Sequence, residues 1–196
     1  GTLKIPDTVT KIGEGAFAQV AGLKTIIIPG SVKEIGTNAF TNNLTLETVI
    51  MEEGVQIIGV TAFSNCQKLK NISMPESLLE IKYGAFYKCL LVEKIKIPSK
   101  ITKIERDTFG GANSLKEIVL SDNTEIILSG AFAFTSFEEI VLPKKIKEIE
   151  SGVFNGNLKL SNIMVEGENP QYVYETGMLM SKNKENIVYS KEIKGI

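Results

Sequence analysis

Residues 23–40 read LKTIIIPGSVKEIGTNAF, and residues 69–86 read LKNISMPESLLEIKYGAF. Laid over one another, they match Leu23 with Leu69, Ile26 with Ile72, Pro29 with Pro75, Ile35 with Ile81 and Phe40 with Phe86. The frame recurs as LETVIMEEGVQIIGVTAF from Leu46, VEKIKIPSKITKIERDTF from Val92, LKEIVLSDNTEIILSGAF from Leu115 and FEEIVLPKKIKEIESGVF from Phe137. A truncated unit, TLKIPDTVTKIGEGAF, precedes them, and a degenerate one starts at Leu160. The closing phenylalanine therefore falls at 17, 40, 63, 86, 109, 132 and 154, a spacing of 23 broken once by 22. A fixed period of this size specifies a repeat architecture. Its core lengthens with every unit, so the chain need not divide into globular domains.

Within a unit the apolar residues alternate early, as at Ile26 and Ile28, which is strand spacing. Proline then closes the strand at Pro6, Pro29, Pro75, Pro98 and Pro143, because it has no N–H to give to a ladder. A second apolar pair, Val32 with Ile35 or Ile101 with Ile104, fits a short second strand, and the segment around Ala39-Phe40 is predicted to return through a helical turn. The expected fold is a right-handed solenoid with a parallel β-sheet and about seven 23-residue units over residues 1–166. Residues 167–196 are expected to form a C-terminal capping hairpin continuous with the solenoid, its polar turn at residues 181–186, because a solenoid must cover its open end. The single short spacing puts a deletion after Phe132, with Phe137 in the leucine position, Phe134 refilling the lost volume, and a local kink.

Composition removes several function classes. The chain of 196 residues carries 22 Lys plus Arg against 23 Asp plus Glu, and Arg106 is the one arginine. A nucleic-acid binder needs a basic face with arginine forks, so no nucleic-acid partner is expected. Histidine is absent, which removes the commonest metal ligand, proton shuttle and triad base. No Gly-rich phosphate loop or Asp-rich calcium loop occurs. The chain reads as non-enzymatic, with no cofactor and no metal. No apolar run is long enough to span a bilayer, so no direct membrane insertion is expected. The start, GTLKIP, lies partway through a unit, and the sequence reads as a fragment whose targeting segments lie elsewhere.

The run of Leu, two Ile, Pro, Val, Ile and Ala-Phe, often with Cys before the next Leu as in AFSNCQKLKNISMP, resembles the BspA-like leucine-rich repeat family over about residues 2–166. The resemblance implies a surface or secreted protein, hence an extracellular or cell-surface location, and a protein-binding or adhesion module. It carries no catalytic motif. The expected partner is a host or cell-surface protein, or a glycan, bound by a monomeric array. The other reading is a structural spacer that presents a neighbouring domain.

The candidate binding residues are those facing outward on the first strand of each unit: Thr25, Ile27, Thr48, Ile50, Asn71, Ser73, Lys94, Lys96, Glu117, Val119, Glu139 and Val141. Solenoids present extended surfaces of this kind. Two apolar pairs flank a polar centre at Ser73 and Lys96. Cys66 and Cys89 share one repeat position, also filled by Asn43 and Ala112, and are read as free buried thiols. One residue after each leucine position the charge alternates, Lys24, Glu47, Lys70, Glu93, Lys116 and Glu138. Stacked in register, these opposite charges would favour the assembly.

Overall fold

A computed structural model describes residues 1–190. Each unit makes one coil with two short strands. In chain order they are β1 (Thr2–Lys4) and β2 (Lys11–Ile12), β3 (Thr25–Ile28) and β4 (Glu34–Ile35), β5 (Thr48–Met51) and β6 (Ile57–Ile58). Next come β7 (Asn71–Ser73) and β8 (Glu80–Ile81), β9 (Lys94–Lys96) and β10 (Lys103–Ile104), β11 (Glu117–Val119) and β12 (Ile126–Ile127). The array ends with β13 (Glu139–Leu142), β14 (Glu148–Ile149) and β15 (Asn162–Val165). Equivalent strands pair in parallel and in register, with Ile26 opposite Val49 and Ile35 opposite Ile58. The alternation read from the sequence holds: Ile26 and Ile28 are fully buried while Thr25 and Ile27 face outward.

The segment expected to be helical is not. Among the described residues there is no helix, and the chain returns through a turn. The reason lies in two left-handed residues in each turn. Two places before the phenylalanine stand Asn38, Thr61 and Asp107, with φ of 55, 50 and 54, or glycine, as at Gly84 and Gly130. Two places after it stand Asn42, Asn65, Lys88 and Phe134, with φ of 58, 59, 56 and 56, or glycine at Gly111 and Gly156. Such residues cannot continue a right-handed helix. They rotate alternate amides along the stack instead. Phe40 donates its N–H to the Ala62 carbonyl of the next coil at 2.7 Å, Phe63 to Ala85 at 2.8 Å and Phe86 to Thr108 at 3.0 Å.

These turns bury a spine of rings. Phe17 through Phe109 stack at centroid separations of 5.2, 5.1, 5.4 and 5.7 Å with interplanar angles of 4° or less. Beyond Phe109 the spacing reaches 6.2 Å and the planes tilt by 12° and then 25°. The tilt grows across the shortened unit, so the deletion is absorbed as a progressive rotation. Phe137 fills the leucine position and meets Phe132 edge-on at 5.7 Å. Phe134 does not refill lost volume: it is 58% exposed, because its left-handed backbone aims the ring outward.

The ladders on the strand sides are interrupted while the turn ladder is not. First strands form sheets β1–β3–β5–β7, β9–β11 and β13–β15; second strands form β2–β4–β6–β8 and β10–β12–β14. Between the fourth and fifth coils both strand ladders stop, yet the turns stay joined by Phe86 to Thr108 and by Lys88 to Gly110 at 2.8 Å.

Past β15 the chain forms an antiparallel sheet of β16 (Tyr172–Glu175), β17 (Met178–Ser181) and β18 (Ile187–Ser190). The expected hairpin is β17–β18, closed by the Ser181 N–H to the Asn186 carbonyl at 2.9 Å. The last six residues of the expected capping segment, 191–196, lie outside the described residues. The sheet substitutes side chains for a missing coil. The Tyr189 ring stands edge-on to Phe154 at 5.6 Å and ends the spine. The Tyr172 hydroxyl accepts the Ile149 N–H at 2.8 Å, and buried Asn169 donates to the carbonyls of Lys144 and Ile146 at 2.9 and 3.1 Å. Backbone groups that a further coil would satisfy are thereby paired.

The position three residues after the phenylalanine repeats a single device. Asn43 Nδ2 donates to the Phe17 carbonyl at 2.7 Å, Cys66 Sγ to the Phe40 carbonyl at 3.2 Å and Cys89 Sγ to the Phe63 carbonyl at 3.3 Å. Each thiol serves the coil before it and both are free, as expected. Burial pushes the Cys66 thiol up to about 12, against a bonding amide from Asn43, and burial also drives Cys89 well above its ordinary value. The thiolate is thus favoured only in the unfolded chain, so stability is full below pH 9.0 and falls as pH rises toward about 12. Replacing both cysteines by alanine should flatten that alkaline loss, read as urea midpoints on either side of pH 9; an equally steep loss would contradict this account. A second measurement concerns Thr124, which occupies the position held by Val32, Val55 and Leu78 and leaves its fully buried Oγ1 without a partner. Thr124→Val should stabilise the protein by about 1–2 kcal/mol in urea unfolding.

Candidate functional site

The outward first-strand residues do form ladders, but three separate ones. Thr25, Thr48 and Asn71 stand in line across β3, β5 and β7, as do Ile27, Ile50 and Ser73. Lys94 and Lys96 face Glu117 and Val119 across β9 and β11. Glu139 and Val141 pair with Asn162 and Met164 of β15. Ile50 and Val119 are 36% and 49% exposed, whereas Ile27 and Val141 are half-buried. The twelve residues are thus not one continuous strip.

Between the first two ladders the face opens. No ladder bond joins β7 to β9, and a cleft of about 760 Å³ lies there, lined by Thr48, Ile50, Asn71, Ser73 and Lys94. Its other walls are Lys70, Glu93 and Leu91, with the half-buried Ile72 at its base. Five of the expected residues therefore meet at one depression. Thr25, Ile27, Lys96, Glu117, Val119, Glu139 and Val141 stay outside it. Leu91, Lys70 and Glu93 were not among the expected residues. A signal for Leu91 exists, since its position carries Gly22, Thr45, Lys68 and Ser114 in other units.

Charges around the cleft are mostly paired locally. Lys94 meets Glu117 at 2.6 Å, and that carboxylate raises the lysine. Glu76 receives the Ser99 N–H and hydroxyl, each at 2.8 Å, and stands 3.7 Å from Lys96. The Ser99 backbone bond is the main cause holding the Glu76 carboxyl below its ordinary value. This side chain ties the fourth coil to the fifth where their strands do not. The alternating charges close ion pairs only at Lys24–Glu47, 3.8 Å, and Glu93–Lys116, 3.5 Å. Lys70 against Glu93 and Lys116 against Glu138 straddle the two interruptions in the first-strand ladder, which accounts for two of the missing contacts. Exposed pairs of this kind contribute little in any case.

Among the described residues no cluster of three or more His, Cys, Asp or Glu could hold a metal ion, and no helix is long and apolar enough to cross a membrane. The sequence profile of the BspA type leucine rich repeat region matches six copies, over residues 1–113 and 79–196. The chain belongs to the BspA-type leucine-rich repeat family. No curated protein matches it. Solved structures of bacterial leucine-rich repeat proteins do. A leucine rich cell surface protein of Faecalibacterium prausnitzii is 30% identical over 93% of this chain and 52% of its own, with a TM-score of 0.85. A leucine-rich repeat protein of Bacteroides ovatus is 28% identical over 86% of this chain and 50% of its own, at a TM-score of 0.63. The T. pallidum leucine rich repeat protein is 26% identical over 84% of this chain and 70% of its own, at 0.61. The chain thus spans about half the length of the first two. BspA-type proteins are surface proteins, and the leucine-rich solenoid is typically a scaffold without catalytic groups.

The Glu76 tie is measurable in isolation. Glu76→Gln should lower hydrogen-exchange protection of the Ser99 amide while leaving β5 amides unchanged. A lowered carboxyl lends its stability above its ordinary value of 4.5 and loses it as pH falls. Acidification below 4.5 should therefore loosen Ser99 in the unaltered protein too. Unchanged Ser99 protection in the variant would show that the tie contributes nothing.

Proposed function

We propose that this BspA-type array is an extracellular binding or adhesion module that takes a host or cell-surface protein on its strand face, centred on the cleft between β7 and β9. The observation that carries this reading is a coincidence of place. The sheet ladder stops where outward residues of mixed character converge: apolar Ile50 and Leu91, amide and hydroxyl groups of Asn71 and Ser73, and charged Lys70 and Lys94. A stable protein interface needs an apolar centre with a polar rim, and the cleft offers both. The strand edges of β7 and β9 also retain backbone groups not engaged in a coil-to-coil ladder, which favours a partner presenting an extended segment. The cell-surface description of the F. prausnitzii protein supports an extracellular location. A spacer role needs none of these features.

The chain should bind epithelial cells or immobilised matrix proteins. Ile50→Ser combined with Leu91→Ser should reduce that binding by about tenfold or more, as loss of a central anchor does. Both side chains are partly exposed, so the melting temperature should change little. Binding retained in the double variant would remove the cleft from the interface. No binding to any cell or matrix protein would favour the spacer.

A further inference from the structure

The turn face carries a feature that stacking does not explain. The position two residues after each core phenylalanine is left-handed throughout, and it is filled by Gln19, Asn42, Asn65, Lys88, Gly111, Phe134 and Gly156. Asparagine and glycine tolerate that backbone, and the asparagines also join in a ladder, Asn65 Nδ2 to Asn42 Oδ1 at 2.6 Å. A phenylalanine there is strained and wastes its apolar surface. Phe134 is both, at φ 56 and 58% exposed. Its ring lies over Gly156, where a Cβ would collide with it. Strain retained while more than half of the side chain stays exposed points to a functional position.

On the other side of Phe134 lies a cleft of about 470 Å³. Gly110 and Gly111 clear its centre, and a Cβ at Gly110 would already stand 3.2 Å from the ring of Tyr87. Tyr87 and Phe134 therefore wall it from coils two steps apart, roughly 10 Å at one strand spacing per coil. Asp107 and Asn113 also line it, and the Asp107 carboxylate lies against Gly130, where a Cβ would collide with it. The Lys88 ammonium stands over one face of the Tyr87 ring, 5.2 Å from its centre, and with Asp107 the lining holds one ammonium and one carboxylate.

We propose that this cleft binds one pyranose ring of a neutral glycan. Two aromatic faces accept the apolar C–H faces of a sugar ring, and a carboxylate with an amide satisfies its hydroxyls. The balanced charge disfavours strongly anionic and cationic ligands. A proline-rich peptide would use the aromatic walls but would leave Asp107 without a donor, since proline has none to give. The site lies on the turns and shares no lining residue with the strand-face cleft, although Leu90 here adjoins Leu91 there, and it does not depend on that cleft.

Saturation-transfer NMR with methyl β-galactoside, methyl α-mannoside, methyl β-glucoside and methyl N-acetyl-β-glucosaminide tests this. At least one should receive transfer at its ring C–H protons. Phe134→Gly should weaken that binding about tenfold or more, while its melting temperature holds or rises, since glycine suits the positive φ. Tyr87→Ala should weaken it similarly, and Ile50→Ser should leave it unchanged. The proposal is overturned if no glycoside receives transfer, if both turn-face variants bind as before, or if an oligoproline peptide alone gives the Phe134-dependent signal.

Discussion

Everything in this molecule hangs on the register between one turn and the next. Left-handed residues on both sides of each core phenylalanine deny the turn a helix, and so direct its amides to the neighbouring coil. That exchange is what stacks the rings at about 5 Å and keeps seven coils in line. The strands contribute burial through Ile26, Val49 and their equivalents, but their ladders are dispensable locally. Between the fourth and fifth coils they lapse while the ring stack continues at 5.7 Å. Stability in such arrays is a sum of neighbour terms, and the turn term is the one never omitted.

That hierarchy explains what could be read from the chain. The period, the alternation at Ile26 and Ile28, and the leucine role of Phe137 are statements about burial, and burial leaves a periodic trace. Ala-Phe with flanking polar residues has the composition of a helical turn, yet the segment is not helical. The decisive signal was Asn, Asp and Gly at two fixed positions. The same holds for Phe134: volume suggests an inward ring, whereas the backbone at φ 56 points it out. The strand face was legible as a face, yet the opening at β7 and β9 left only the out-of-pattern Leu91 as a mark. An interrupted ladder is a property of two coils together, and no single unit encodes it.

Membership in the BspA-type family fits this division of labour. A repeat that commits most of its regular residues to stacking must recognise partners with its irregular ones. The two clefts obey that rule, one on the strand face and one on the turn face, with the adjacent Leu91 and Leu90 in their walls. One forms where strands fail to pair around Leu91, and the other where glycines and an outward phenylalanine replace the asparagine ladder. The ring spine runs on past both, so surface chemistry can vary while the fold stays fixed.

The unbroken turn ladder beside broken strand ladders also gives the array a mechanical character. It resembles a bound book: the spine along the phenylalanines resists elongation, whereas the opposite edge can fan apart at the junction of coils four and five. Bending stiffness is then anisotropic, with the compliant direction opening the strand side. A module anchored at one end and pulled at the other would concentrate its curvature at that junction, and shear on the tethered molecule would be felt first at the face proposed to hold its partner.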